Sequence, residues 1–294
     1  MAQHQSNLQG ALLGLAACAL FACSDITIKF LGAGYSPFQI VFFAGLMTFP
    51  LIAGQIATDP TMANLRPRQP ALMALRSGIS LLNSILGTYA FATLPLAQCY
   101  AIFFTMPMLI TLLSLPVLCE RIDLLRGMAV MAGLVGVVIA LDPEAAQLQW
   151  GHAAAAVGAI MGAANFVLIR KTGGQERTIV MLLYPLILLM VVATVALPWV
   201  YQPMPLPDLG LSALMATVSF IGYFLIVAAY RRAPSIVVAP MQYSQIIWAA
   251  IFGVVLFDEH LSARVWIGMA VIIMAGLVIV TRRDQPVGIA PTQP

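Results

Sequence analysis

Gly127-Met128-Ala129-Val130 recurs letter for letter as Gly268-Met269-Ala270-Val271. Outward from this stretch, the correspondence extends over the whole chain. Gly10 and Gly151 open matching segments, and Lys29 aligns with Arg170, each pair at the same offset of 141 that separates Gly127 from Gly268. Pro95 precedes Glu120 by 25 residues, and Pro234 precedes Glu259 by the same 25. The second half therefore reads as a spaced copy of the first. Each copy carries an odd number of apolar spans, so two copies in tandem must enter a bilayer from opposite sides. Such inverted symmetry is common among carriers that open alternately to either face.

A soluble chain of 294 residues carries about a quarter charged residues, whereas this one is 61% hydrophobic and 9% charged. Apolar stretches long enough to cross a hydrocarbon core of ~30 Å recur along it. Ten are read, at about 8–31, 37–56, 71–93, 97–118, 125–141, 150–169, 179–200, 209–230, 235–256 and 264–281. The expected fold is an all-α integral membrane protein with ten transmembrane helices, arranged as two inverted five-helix repeats around a central cavity. Residues 1–294 form a single membrane domain, with repeat one at 8–141 and repeat two at 150–281. The first span has no basic leading region or small-residue cleavage site and is read as retained.

Charge placement orients the spans. With the N-terminus in the cytoplasm, that side collects Arg66, Arg68, Arg76, Arg121, Arg126, Arg170, Lys171, Arg177, Arg231, Arg232, Arg282 and Arg283, leaving only Lys29 and Arg264 outside. This bias follows the positive-inside rule and puts both termini in the cytoplasm. The basic residues are spread over several loops rather than gathered on one face, so nucleic acid is not an expected partner. Cys18, Cys23, Cys99 and Cys119 lie in or at the end of spans without CxxC or histidine spacing, so neither a disulfide framework nor a metal site is expected.

The fifth helix of each repeat is rich in glycine and alanine, which permits close helix approach; these helices read as scaffold or dimer contacts, in a monomer or weak dimer. Gly158 and Gly162 form a similar packing pair. Polar and aromatic residues gather instead on helices three, four, eight and nine. Arg76, Ser80, Asn83 and Gly87 share one face by their spacing, as do Tyr100, Phe104, Pro107 and Thr111. Helix eight offers Phe220 (with Ser219 beside it), Tyr223, Val227 and Tyr230, and helix nine Val238, Gln242, Gln245 and Ala249, with Ser244 and Trp248 slightly round. Polar groups avoid lipid, so the four stripes are expected to converge on the cavity. Asn83 and the glutamines also suit a second role, as hydrogen-bonded ties between helices.

Of eleven acidic residues, only Asp25 lies well inside a span. An intramembrane carboxylate points to a proton relay or a substrate ammonium contact. Lys29 lies one turn on, so the two can instead pair, with Lys29 reaching the interface. The matching positions of repeat two are Asn165 and Phe166, which supply no second acid. Glu120 and Glu259, ending spans four and nine, are suited to cap the next helix or to pair with Arg121, Arg126 or Arg264, with a gating role as the secondary reading. Pro107 and Pro240 interrupt spans four and nine, freeing a backbone carbonyl and permitting gating kinks. No HExxH, GxSxG, GxxxxGK[ST] or GxGxxG motif is present, so no catalytic residues and no cofactor are expected.

Two five-helix repeats, each with a loop glutamate before a glycine-rich helix (Glu120 then Gly127 to Gly133; Glu259 then Gly268 to Val271), resemble the EamA type of the drug/metabolite transporter superfamily. The run Tyr89-Ala-Phe-Ala-Thr-Leu-Pro-Leu-Ala97 is similar to that family's junction of helices three and four, with Ala229-Tyr-Arg-Arg-Ala-Pro-Ser235 at the equivalent point of repeat two. The resemblance covers the whole chain and is nearest to YddG-like bacterial inner-membrane exporters. It implies efflux of aromatic and other neutral amino acids, with aromatic cations as further substrates, and a cavity surrounded by the first four helices of each repeat. The first repeat departs from the family in its loop glutamate, which lacks the usual following Thr or Gln. The reading is thus an alternating-access exporter in the inner membrane. Asn83, Tyr100, Phe104, Asn165, Tyr223, Gln242, Gln245 and Trp248 are assigned to substrate, and Asp25 and Lys29 to coupling or an ion pair. Export of drugs or other metabolites, and a passive channel, are the alternatives.

Overall fold

The computed structural model describes residues 2–58, 65–106, 108–110, 112–113, 124–141, 149–172, 176, 178–232, 241, 244–259 and 262–281. These residues are helical with no strands among them. The principal helices are α1 (Ala2–Gly32), α2 (Pro37–Thr58), α3 (Pro70–Thr93), α4 (Leu96–Phe103), α5 (Leu124–Leu141), α6 (Trp150–Thr172), α7 (Thr178–Val200), α8 (Leu206–Arg232), α9 (Ser244–Phe257) and α10 (Ala263–Thr281). Six stretches, in α1, α2, α3, α6, α7 and α8, are long and apolar enough to cross a membrane, and shorter apolar helices lie at Leu96–Ile110, Met131–Ala140 and Ala263–Ala275. Large apolar side chains such as Val195, Trp199 and Met274 stand exposed on the outside. A soluble monomer does not expose apolar surface on this scale, and a lipid environment accounts for it.

Within the fourth sequence span, the helix Leu96–Phe103 gives way to a turn before helical residues resume at 106. Phe104 and Thr105 leave it in a turn, with Phe104 N–H donating to Tyr100 O at 2.8 Å and Thr105 N–H to Ile102 O at 3.0 Å. This change comes just before Pro107, which has no N–H to extend the ladder. Pro107 and Pro240 themselves lie outside the described residues, as do Thr111, Glu120, Cys119 and Gln242.

Helices pack α1 on α8, α3 on α6, α2 on α7, α4 on α9 and α5 on α10. The seams are made of small residues: Ala17, Ala90, Ala101, Ala155, Ala159 and Ala163 are fully buried. In lipid, where no hydrophobic force drives helices together, such residues let backbones approach. Backbone meets backbone where α5 packs on α10. A Cβ on Gly268 would fall 2.5 Å from both Gly136 O and Ala140 N, whereas one on Gly127 would meet nothing within 4 Å. The two copies of the repeated tetrapeptide therefore play different packing roles. Replacing Gly268 with Val is expected to cost about 1–3 kcal/mol through overpacking, and Gly127→Ala to leave the melting temperature of the detergent-solubilised protein unchanged, as thermal unfolding of the two variants will show.

A cavity walled by aromatic rings and one carboxylate

Between the helices lies a cavity of about 810 Å³. Its aromatic wall comes from Phe21 of α1, Phe91 of α3, Tyr100, Phe103 and Phe104 at α4, and Phe166 of α6. The rings form a packed set: Phe91 stacks on Phe103 with centroids 5.4 Å apart and planes 14° apart, and Tyr100 on Phe104 at 5.9 Å and 24°. Phe91 also meets Tyr100 edge-on at 5.3 Å. Asn83, Ser84, Thr88, Ser219 and Gln245 add hydrogen-bonding groups. Ser219 Oγ donates to Ser24 Oγ at 2.7 Å, tying α8 to α1 at the wall.

Asp25 is the carboxylate of this wall. Its Oδ2 accepts a hydrogen bond from the Tyr100 hydroxyl. Lys29 does not pair with it, contrary to the expectation from their spacing. The ammonium of Lys29 instead pairs with Glu259 and donates to Leu94 O at 3.2 Å. Glu259 likewise does not cap the helix that follows it. Its two carboxylate oxygens each lie 3.0 Å from Leu96 N, the first amide of α4. The four residues between Asp25 and Lys29 amount to a rise of ~6 Å along the helix, enough to carry Lys29 past the cavity to a charge from another helix.

The remaining assigned residues divide. Asn83, Tyr100, Phe104 and Gln245 line the cavity with Asp25, whereas Asn165, Tyr223 and Trp248 are not among its lining residues. On α6 the wall is made by the next residue, Phe166, and the side-chain oxygen of Asn165 is buried without a partner among the described residues. Trp248 stacks on Phe252 along α9, at 5.9 Å and 21°. On α8 the described lining is Met215, Ala216, Ser219 and Ile226: Ser219, read beside the stripe, is on the wall, Phe220 and Tyr223 are not among the lining residues, and the side chains of Val227 and Tyr230 lie outside the described ones. Gly222 faces Phe21 and Ala17 of α1, with room for no Cβ without crowding (3.0 Å to Phe21). That close approach sets the rotation of α8 and puts Tyr223 off the wall, within electrostatic reach of Arg76. Arg76, read as part of the third-helix stripe, is buried below the cavity and donates to Met181 O at 2.6 Å, fastening α3 to α7. The cavity also draws on α1 and α2 (Cys18, Phe21, Ser24, Val41, Ala44, Thr48), whose residue-level contribution the four-stripe reading missed. The short polar side chains beside Asp25 were the available signal.

Beyond Asp25, polar ties join the two halves at the Lys29 end. The Gln39 side chain, fully buried, donates to Gln202 O at 2.7 Å and accepts from Gln202 N at 2.9 Å. His152 Nδ1 accepts from Gln149 N at 3.1 Å, so its Nε2 carries the proton shared with Gln98 Oε1 at 3.1 Å. The Tyr35 hydroxyl donates to Asp208, and this bond, with lesser help from burial and the aspartate's charge, raises the Tyr35 pKa above its ordinary value. A raised phenol pKa means that the tie is fully present below the ordinary tyrosine pKa near ~10 and is lost as pH rises through the raised value. At the opposite end, Glu176 accepts from Gln69 N at 2.7 Å, at the start of α3.

The sequence profile of the EamA-like transporter family matches residues 8–141 and again 149–282. The chain belongs to the EamA-like transporter family. It is 24% identical over 263 residues to an S-adenosylmethionine uptake transporter of Rickettsia bellii (strain RML369-C), covering 88% of this chain and 89% of that one. It is 24% identical over 280 residues to a pseudopaline exporter of Pseudomonas aeruginosa (strain UCBPP-PA14), covering 90% and 94%. A crystal structure matches with a TM-score of 0.65 over 92% of this chain and 95% of that one, at 18% identity, which establishes a shared fold alone. This EamA-like chain is thus a multi-pass membrane transporter of small molecules and not an enzyme. Because the buried Gln39 side chain makes two hydrogen bonds to Gln202, Gln39→Leu is expected to cost about 1 kcal/mol, measurable as a lowered melting temperature in detergent.

Proposed function

We propose that the protein is a ten-span carrier of the bacterial inner membrane, with both termini cytoplasmic, that exports small hydrophobic metabolites by alternating access. Aromatic and other neutral amino acids are its foremost substrates. The observation that carries this reading is Asp25, the one carboxylate among the described lining residues, set in an aromatic wall. Rings and a carboxylate together suit a solute with an apolar or aromatic body and a positively charged amino group. Asn83 and Gln245 stand ready for the polar remainder of such a molecule. With Lys29 paired to Glu259, no cation meets Asp25 among the described residues, and in this reading the substrate supplies the countercharge.

Inverted repeats are supported by the packing scheme. Exchanging the halves carries the α1–α8 contact into α6–α3 and maps α2–α7, α4–α9 and α5–α10 onto themselves. The end ties fit as well: Tyr35 and Glu176 differ by 141 positions, the offset of Lys29 and Arg170, and each meets the start of a third-position helix, at Asp208 and Gln69.

A second reading has its own observation. A volume of about 810 Å³ falls near the top of the ~300–1,000 Å³ range of drug-sized pockets and exceeds what one amino acid fills. A larger cation such as S-adenosylmethionine, the solute named for the Rickettsia relative, suits that space, with entry rather than exit as the direction.

Purified protein in liposomes decides between them. Preloaded labelled phenylalanine, tryptophan and S-adenosylmethionine are followed with and without unlabelled solute on the other side. Saturable flux accelerated by the opposing solute is expected; flux without saturation or exchange would mean a channel. Asp25→Asn is expected to reduce flux of a cationic solute at least about tenfold, on the scale of a lost charged hydrogen bond. Only the ionised carboxylate attracts the cation, so parent flux falls as pH is lowered and Asp25→Asn shows no such dependence; an unaltered pH profile in the variant contradicts the role. Gln245→Ala is expected to raise KM by about two- to tenfold, whereas Trp248→Ala, off the wall, leaves KM within about twofold.

A further inference from the structure

Asp25 and Lys29 stand one turn apart on α1, and Leu96 and Tyr100 one turn apart on α4. The two helices are joined by two rungs. Tyr100 bonds Asp25 in the cavity wall, and beyond it the Leu96 amide and Lys29 meet on Glu259, from the end of α9. The cavity lining stops at Asp25, Ile28, Phe91 and Tyr100. Above it, Leu94, Leu96 and Ala97 are each about 1% exposed, and the side chains of Lys29 and Glu259 15% and 10%. The second rung is therefore part of the plug over the cavity.

Its carboxylate is held in place by the way α9 ends. Asp258 takes a left-handed conformation with φ 51°, and Glu259 N–H turns back to Gly253 O at 2.9 Å. Glu259 is thereby folded over Gly253, where an added Cβ would fall 2.7 Å from Oε2. Lys29 Nζ also lies 4.7 Å from the centroid of the Phe257 ring. A carboxylate on the first free amide of a helix and an ammonium at the same oxygen are both charge-assisted contacts, strong where water is scarce. The contact crosses the chain's two halves, since Lys29 and Leu96 belong to the first and Glu259 to the second.

We propose that Glu259, clasped by Lys29 and the Leu96 amide, is the lock that keeps this end of the cavity shut, and that opening this end requires the clasp to part. The proposal rests on the carrier reading for its purpose, since only a carrier needs an end that closes and opens. Through α4 the same clasp positions the Tyr100 hydroxyl against Asp25, which links the state of the lock to the binding wall.

Cys99 reports the lock without any substrate, so failure here is separable from failure of the carrier assignment. It is fully buried, between Leu96 and Tyr100, within electrostatic reach of Asp25, Lys29 and Glu259. In full-length protein with Cys18, Cys23 and Cys119 changed to Ser, the rate of Cys99 modification by a charged methanethiosulfonate is measured by mass spectrometry. Lys29→Met and Glu259→Gln are each expected to speed labelling at least about tenfold, and Lys29→Arg to stay within about threefold of the parent. A mere charge effect on the thiol would move Lys29→Met and Glu259→Gln in opposite directions. Gly253→Ala, which displaces the carboxylate without removing a charge, is expected to accelerate labelling as they do. Labelling as slow as the parent in Lys29→Met and Glu259→Gln, or Lys29→Arg as fast as Lys29→Met, overturns the proposal. Gel filtration of every variant excludes unfolded protein as the source of exposure, and Gly253→Ala at parental rate in a monodisperse sample counts against the lock.

Discussion

Hydrocarbon offers no hydrogen-bond partner, so each polar group carried into the span of the membrane must be met by protein or by what the protein binds. That constraint orders the interior of this chain. Ser24 meets Ser219, Arg76 meets the carbonyl of Met181, and Gln39 clasps the backbone of Gln202. Each of these contacts runs between the first half of the chain and the second. The polar residues are few, but they join parts of the chain that the alanine seams alone would let slide.

Asp25 obeys the same constraint only in part. Tyr100 supplies one hydrogen bond, and Lys29, the nearest cation in sequence, is committed elsewhere. A half-buried carboxylate with no cation beside it among the described residues is unfavourable in a low-dielectric wall. A solute that brings a positive charge relieves that cost, and the aromatic rings around it provide dispersion and quadrupole attraction for the rest of the molecule. In the proposed function, the substrate's amino group supplies that charge. The short α4, ending just before Pro107, places three of the rings on a segment that also carries the end of the clasp. Binding wall and closure share one piece of backbone.

The sequence was legible where chemistry is intolerant. Spans of sufficient apolar length, the lone intramembrane acid and the glycine-rich fifth helices all follow from the hostility of lipid to charge and from the need for close packing. Gly268 against Gly136 realises that need directly. What escaped was rotation and long-range choice. Polar and aromatic residues are spread round α8, so its pattern did not separate Ser219, which faces the cavity, from Tyr223, which does not; the packing of Gly222 against α1 goes with that rotation. Phe91 and Phe103 were missed because a phenylalanine serves lipid and cavity equally well. The partner of Glu259 lies 230 positions away on α1, and local spacing favoured Arg264 instead. Tertiary packing made these choices, by bringing three helix ends together.

Family membership brings solutes as different as those named for the Rickettsia and Pseudomonas relatives onto one fold, one for uptake and one for export. Specificity in such a fold resides in a handful of wall residues. The proposed function turns on a half-buried carboxylate in an aromatic cavity that holds the positively charged amino group of the substrate. Equilibrium binding of three matched ligands to the purified protein tests it: phenylethylamine, phenylalanine and hydrocinnamate share a ring and differ in charge, from positive through zwitterionic to negative. Affinity falling in that order, with the preference erased by Asp25→Asn, is the expected result. Hydrocinnamate binding as tightly as phenylethylamine would contradict the account.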